Sequence, residues 1–331
     1  MEVSKVENKK VVELAQNKRK WLSEIALYIG VIAIILVFTL LCKVRGIDYL
    51  SWNNITNIVV QSSIVGVMAI GASIVILTGG IDLSSGSMLG FNGMICALLI
   101  VKGGLPLGIA LVLTVVAGCL VGAVTGIGIS YGKLPAFIMT LGIMEMAEGG
   151  ALALNGGQPI SGLPGELNAF AKLTILGIPT FVYCLIILYI IMIFVMGKTK
   201  FGRHVYALGG NVQAARLSGI NTKMVEILVY TLAGLFSAIA ALMLLARLAY
   251  ASPTSGKGYE MDAIASCVIG GIALSGGQGK LRNTLVGALL LTILKNGLQM
   301  LDVSVYYQQI ITGLVIVGAV LVDKSEERKA E

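Results

Sequence analysis

Charge is scarce in this sequence. Asp, Glu, Lys and Arg make up only 12% of its 331 residues, against roughly 25% in a typical soluble domain. The deficit excludes an ordinary water-soluble fold. A chain that is 56% hydrophobic has too little polar surface to face water and must face lipid. Histidine is reduced to His204 alone, on a basic loop, where no ligand or proton-relay role is expected of it. The five cysteines, Cys42, Cys96, Cys119, Cys184 and Cys267, include no Cys-x-x-Cys pair and sit in or beside apolar runs. They read as small packing residues, with no disulfide framework and no metal site. No Gly-x-x-x-x-Gly-Lys-Ser/Thr phosphate loop occurs: Gly279-Lys280 is followed by Leu281 and lacks the upstream glycine. The chain itself is therefore not expected to hydrolyse ATP. No nucleophile, base and orienting group form a recognisable set, which argues against an enzyme. The net charge of +7 does not point to nucleic acid, because the interleaving of basic and aromatic residues is absent.

Long apolar runs are what the sequence has in abundance, and mean hydropathy is +0.91. Residues 1–22 are mixed in charge and end in Lys18-Arg19-Lys20-Trp21. Ser23–Cys42 then supplies about twenty mostly apolar residues, enough to cross a bilayer. That core is too long for a signal peptide, and Lys43 and Arg45 follow in place of a small-residue cleavage site, so it reads as an uncleaved first span. Further spans are expected at Ile58–Thr78, Gly86–Val101, Leu105–Ser130, Leu134–Leu154, Thr180–Met196, Val225–Ala246, Thr284–Met300 and Val305–Val322, with a short eighth at Asp262–Ala273. The expected fold class is an all-α polytopic membrane protein of about ten transmembrane helices. Lys and Arg near span ends place both termini in the cytoplasm, although Lys43, Arg45 and Arg247 run against that assignment. The domains are then a cytoplasmic tail at 1–22, a membrane domain at 23–323 and a charged cytoplasmic tail at 324–331.

Two glycine patterns stand out. Gly118, Gly122 and Gly126 recur at every fourth position of the fourth span, baring one helix face so that a neighbour can pack closely. Gly79-Gly80-Ile81-Asp82-Leu83-Ser84-Ser85-Gly86 is echoed by Gly270-Gly271-Ile272-Ala273-Leu274-Ser275-Gly276-Gly277. Both stretches are too polar and glycine-rich for mid-helix against lipid, and paired broken segments in the two halves of a transporter often mark its path or gate. Asp82, Ser84 or Ser85 can cap the helix that follows the first copy.

The longest interior polar stretch is Lys198–Lys223. It carries Lys198, Lys200, Arg203, Arg216 and Lys223 and no acid, which assigns it to the inside face. Within it Asn211 can cap a first turn, Val212–Ser218 favours helix, and Gly219 can take the left-handed conformation that closes one. A short helix on such a loop is a natural docking element for a soluble partner.

Gln213-Ala214-Ala215-x-x-x-Gly219 resembles the Glu-Ala-Ala-x-x-x-Gly loop of ABC importer permeases, with glutamine in place of glutamate and without the Ile-x-Leu-Pro tail. Phe201-Gly202-Arg203, Tyr206–Asn211, Ala214–Ile220, Thr78–Ser87, Gly156–Ile160, Gly270–Gly279 and Asn296-Gly297-Leu298 together resemble the ribose-type sugar permease branch, over about residues 50–323. Amino-acid and nucleoside permeases are similar in outline but usually lack the run from Gly79 to Ser87. The resemblance implies a fold like that of vitamin B12-type importers. It implies a location in a bacterial inner membrane and a second permease subunit, identical or a sibling. It also implies separate ABC ATP-binding subunits that hold ATP and Mg, and an extracytoplasmic sugar-binding protein. Asn211, Gln213, Ala214, Ala215, Arg216 and Gly219 would form the coupling helix seated on the ATPase.

Candidate path residues are Asp82, Ser84, Asn92, Glu145, Glu148, Gln158, Lys295 and Asn296. An intramembrane acid needs water, a cation or a proton. Glu145 and Glu148, three apart, share one helix face. The resembled family more often has arginine where Glu148 stands, a neutral residue at Glu145 and a polar neutral one at Lys295. We therefore expect Lys295 to pair with Glu148 or Glu145. The alternative function is an ion- or proton-coupled secondary transporter that uses Glu145, Glu148 and Asp82.

Overall fold

The computed structural model describes residue 25 and residues 27–328, without the side chains of 319, 320 and 322–328. The tail expected at 1–22, the first residues of the first span and residues 329–331 lie outside the described residues. The fold is almost wholly helical: α1 Leu27–Val44, α2 Trp52–Leu77, α3 Ser85–Val101, α4 Leu107–Ser130, α5 Ala136–Ala153, α6 Gly165–Lys172, β1 Thr174–Ile175, β2 Ile178–Pro179, α7 Thr180–Lys198, α8 Lys200–Gly210, α9 Val212–Leu217, α10 Thr222–Leu248, α11 Tyr259–Ile269, α12 Leu281–Met300 and α13 Val305–Arg328. Among the described residues six helices, α1, α2, α4, α5, α7 and α10, are long and apolar enough to cross a membrane. The protein is a polytopic membrane protein.

Proline decides where several helices begin. Pro106, Pro135, Pro164 and Pro179 each stand immediately before α4, α5, α6 and α7. The ring fixes φ and disfavours helix at the residue before it. The fourth and fifth spans accordingly start two residues later than hydropathy suggests. The loop expected between the fifth and sixth spans holds α6 and a two-stranded antiparallel hairpin, with Thr174 opposite Pro179.

The core is built around α2, which is buried along most of its length, with α10, α3 and α12 against it. The glycine repeat of α4 does what its spacing predicts. A Cβ on Gly122 would meet the backbone of Tyr230 and Thr231, and one on Gly126 would lie 2.6 Å from Ile227 Cα. Thus α4 and α10 pack backbone to backbone. At the other side α1 closes over α12, where the Phe38 ring sits directly on Gly297. The Arg45 guanidinium donates to the Leu301 carbonyl at 2.6 Å.

Two expectations are corrected. The segment 198–223 is two helices rather than a loop carrying one. Thr199 caps α8, accepting from Gly202 N–H at 3.4 Å, and Val205 and Leu208 are buried on one face. The cations and glycines on either side of that pair conceal the stripe in a hydropathy profile. The short eighth span is shorter still: α11 spans 11 residues, and Ile272 and Ala273 belong to the turn after it.

α3 and α11 are opposed half-helices. The Ser237 hydroxyl, halfway along α10, donates to the Ser85 carbonyl at 2.7 Å, so α3 starts at mid-bundle. The loop before α11 dips to the same level, where Gly256 packs against the Gly86 carbonyl. From that meeting point α3 follows the last turns of α10. α11 runs the other way, and its end at Gly270 abuts Asn283 and Thr284 at the start of α12.

Candidate functional site

α9 is held out from the bundle by its two ends. Asn211 Oδ1 accepts from Ala214 N–H at 2.9 Å, the expected cap. Gly219 is left-handed at φ +80°, and Ile220 N–H returns to the Ala215 carbonyl at 3.1 Å, the bond pattern that closes a helix C-terminus. Ala215 faces the bundle and is buried, whereas Asn211, Gln213, Ala214, Arg216 and Gly219 are exposed. Arg216 Nε donates to Thr222 Oγ1 at 3.1 Å, fixing the helix to the start of α10. Leu217, which the sequence reading passed over, is 90% exposed. With Val212 also exposed, α9 turns apolar side chains outward beside Gln213 and Arg216. Behind it, burial pushes the Tyr206 phenol above its ordinary pKa, and its hydroxyl donates to the Gly279 carbonyl at 3.0 Å.

At mid-bundle, Asp82 and Ser84 are buried together. Asp82 Oδ1 accepts from Ser84 N–H at 2.8 Å and from Ser84 Oγ at 2.6 Å. Asp82 therefore braces the turn that opens α3, the capping role open to it, while Ser84 occupies the cap position itself. They line a small pocket together with Ser85, Thr125, Tyr230 and Ser237. It has room for about one water and not for a sugar in this conformation. Ser85 Oγ and Tyr230 Oη have no hydrogen-bond partner among the described residues, nor has either amide atom of Asn92, which is buried beside Gly118.

The charged residues fall differently from expectation. Lys295 pairs with neither Glu148 nor Glu145. Its Nζ lies 2.6 Å from both oxygens of Asp262. Asp262 is in the first turn of α11, where the positive end of the helix favours an acid. That local signal could have identified it, but span periodicity alone does not. Glu148 is half-buried and accepts from Ser87 Oγ at 3.1 Å, linking α5 to α3. Glu145 is exposed on the same helix. Asn296 is 2% exposed and exchanges amide hydrogen bonds with Asn54, at 2.9 and 3.1 Å. Gln158 is exposed beyond the end of α5, and its carbonyl accepts from Asn155 Nδ2 at 2.9 Å. The structure thus brings Asp82 and Ser84 together, sets Glu148 against α3, and separates Lys295, Asn296 and Gln158 from them.

Comparison with known proteins adds a second line. The family model described as branched-chain amino acid transport system / permease component matches residues 54–320. The ribose import permease RbsC of Escherichia coli K12 is 39% identical over 315 residues, covering 93% of this chain and 96% of that protein. The ribose import permease of Bacillus subtilis 168 is 39% identical over 292 residues, covering 88% and 90%. The xylose transport system permease XylH of Haemophilus influenzae is 34% identical over 363 residues, covering 91% and 97%. No solved structure matches the chain.

Proposed function

The chain belongs to the family of branched-chain amino acid transport system permease components, and we propose that within it this protein carries a monosaccharide through a bacterial inner membrane. It is a permease subunit of an ABC importer and not an enzyme; its relatives are ribose and xylose permeases. In our reading it assembles as a homodimer, or with a sibling permease, in a vitamin B12-importer-like fold of about ten helices with both ends cytoplasmic. The tails at 1–22 and 324–331 flank the membrane domain. ATP and Mg are held by a partner ATPase, and an extracytoplasmic binding protein delivers the sugar. The path runs past α3, α5 and α11, with Glu145 and Glu148 offering oxygen acceptors to sugar hydroxyls and Asp82 and Ser84 holding the turn behind them.

The observation that carries this reading is α9. It is capped at both ends, anchored by Ala215, and presents Leu217 and Gln213 outward. It suits a cleft on a soluble subunit, and the chain has no phosphate loop of its own. Replacing Leu217 by Glu should leave membrane insertion unchanged. It should cut recovery of the co-expressed ATPase with the purified permease by about tenfold, the loss of roughly 1.4 kcal/mol of binding. Normal recovery and normal ATP-driven uptake would remove α9 from the interface. Uptake that collapses on adding a protonophore while ATP is held constant would instead return the protein to the ion-coupled class.

A further inference from the structure

We propose that three glycine-bearing turns form a backbone junction that carries movement of α9 to both half-helices, and that Gly209 and Tyr206 are its positioning residues. The inference rests on the docking role assigned to α9 and extends it into the membrane.

The junction sits at the end of α2. The Leu77 carbonyl accepts from Gly277 N–H at 2.9 Å. A Cβ on Gly209, in the last turn of α8, would collide with that same carbonyl and lie 2.5 Å from Gly277 N. A Cβ on Gly276 would lie 2.7 Å from Gly79 N, and one on Gly277 2.7 Å from Gly210 N. Three chain segments distant in sequence therefore touch through main chain, with no side chain between them. Tyr206, one turn earlier in α8, adds the hydrogen bond to Gly279.

What hangs from the junction gives it a purpose. On one side, α9 follows α8 directly, since Asn211 ends one helix and caps the next. On the other side, the turn after Leu77 leads within a few residues to Asp82, Ser84 and the start of α3. Its Ile81 carbonyl accepts from Thr140 Oγ1 of α5 at 3.2 Å. The second turn closes on the end of α11, where Ala273 N–H donates to the Gln278 carbonyl at 3.2 Å, and continues into α12. Close-packed main chain is nearly incompressible, so a displacement of α8 is passed on rather than absorbed by rotamer changes. A push at α9 reaches the base of α3 and the end of α11 together. Those helices run in opposite directions from one mid-bundle contact, so the contact between Gly86 and Gly256 is where their relative movement is felt.

The test uses the complete importer, permease with its ATPase and binding protein, in proteoliposomes, with sugar uptake and ATP hydrolysis measured on the same preparation. Gly209→Ala should retain the co-purified ATPase and hydrolyse ATP at about the wild-type rate, while sugar moved per ATP falls by about tenfold. Tyr206→Phe, which keeps the ring and removes only the bond to Gly279, should lower that ratio by about threefold. Gly210→Ala is the control, because a Cβ there meets nothing within 4 Å; its ratio should stay at the wild-type value. An unchanged ratio in Gly209→Ala overturns the junction. If that variant does not fold, an unchanged ratio in Tyr206→Phe overturns it instead. A fall equal to that of the Gly210→Ala control also overturns it. If the wild-type permease itself recovers no ATPase, the docking role of α9 has failed, and the junction falls with it.

Discussion

Lys295 and Asp262 allow a sharp test, because the two sides of the pair are unequally buried. The side chain of Asp262 is 10% exposed and that of Lys295 35%. Lys295→Met strands a carboxylate with little access to water. Removing one partner of a buried pair costs about 3–5 kcal/mol, and the partial exposure of Lys295 places this case near 3. Asp262→Asn strands an ammonium on a long, flexible stem that can swing toward solvent, so its cost should be about 1 kcal/mol. The double variant leaves no unpaired charge and should also cost about 1 kcal/mol, since replacing both members of a buried pair is often nearly neutral. The coupling between the sites is then about 3 kcal/mol, well outside the scatter expected of independent sites. The assay is thermal unfolding of the purified permease in one detergent across all four proteins. Two results would refute the reasoning. One is a double variant no more stable than Lys295→Met. The other is Asp262→Asn proving the costlier single change. The same cycle run on Glu148 and Lys295 should show no rescue by charge reversal, because Glu148 faces Ser87 instead.

The glycine stripe of α4 predicts opposite signs within one helix. Gly122→Val should destabilise by about 3 kcal/mol and reduce folded yield, because backbone atoms of α10 cannot move aside. Gly108→Ala, with nothing within 4 Å, should be neutral or stabilise by up to about 1 kcal/mol. For Asp82, Asn keeps an acceptor for the two Ser84 donors and should leave folded yield unchanged. Asp82→Ala orphans both donors and should cost about 1–3 kcal/mol. Size-exclusion profiles of the two variants check the brace, and an Asp82→Ala protein that folds normally but loses uptake would assign the residue to the path instead.

Much of this was legible in the sequence, for identifiable reasons. Apolar runs of bilayer length gave the long helices, and Asn211 and Gly219 gave both ends of α9, since caps are set by local chemistry. The four-residue glycine spacing gave the face on which α4 meets its neighbour. Helix starts were missed by two residues where proline overrides hydropathy. α8 does not show in a hydropathy profile because its buried stripe is only Gly202, Val205 and Leu208, flanked by glycines whose reason is long-range. Gly209 is small because Leu77 is there, and no local pattern records that. The partner of Lys295 differs from the expected one for another reason: Asp262 is marked locally by its place in the first turn of α11, which span periodicity does not register. An acid is paired with Lys295 as expected, but it comes from α11, the helix just before its own, rather than from α5.

The echo between the two glycine-rich runs gains a meaning that pattern matching could not supply. Two similar runs in a chain with 42 glycines could arise without any structural relation. Here the runs touch: Gly276 packs on Gly79, and Gly277 bonds the carbonyl at the end of α2. Each run also adjoins a half-helix, one leading into α3 and the other following α11, and from their mid-bundle meeting point those helices run to opposite ends of the bundle. An inverted pair of this kind needs a shared base if both members are to move in one step. That base must be free of side chains, because two turns and the last turn of α8 converge on it. The glycines of the echo meet that requirement, which is why the second copy can dispense with an acid where the first has Asp82. Ala273 stands at the Asp82 position, in a turn closed by main-chain hydrogen bonds and opening no helix there. The two copies share the junction, and only the first builds the polar turn at the start of a half-helix.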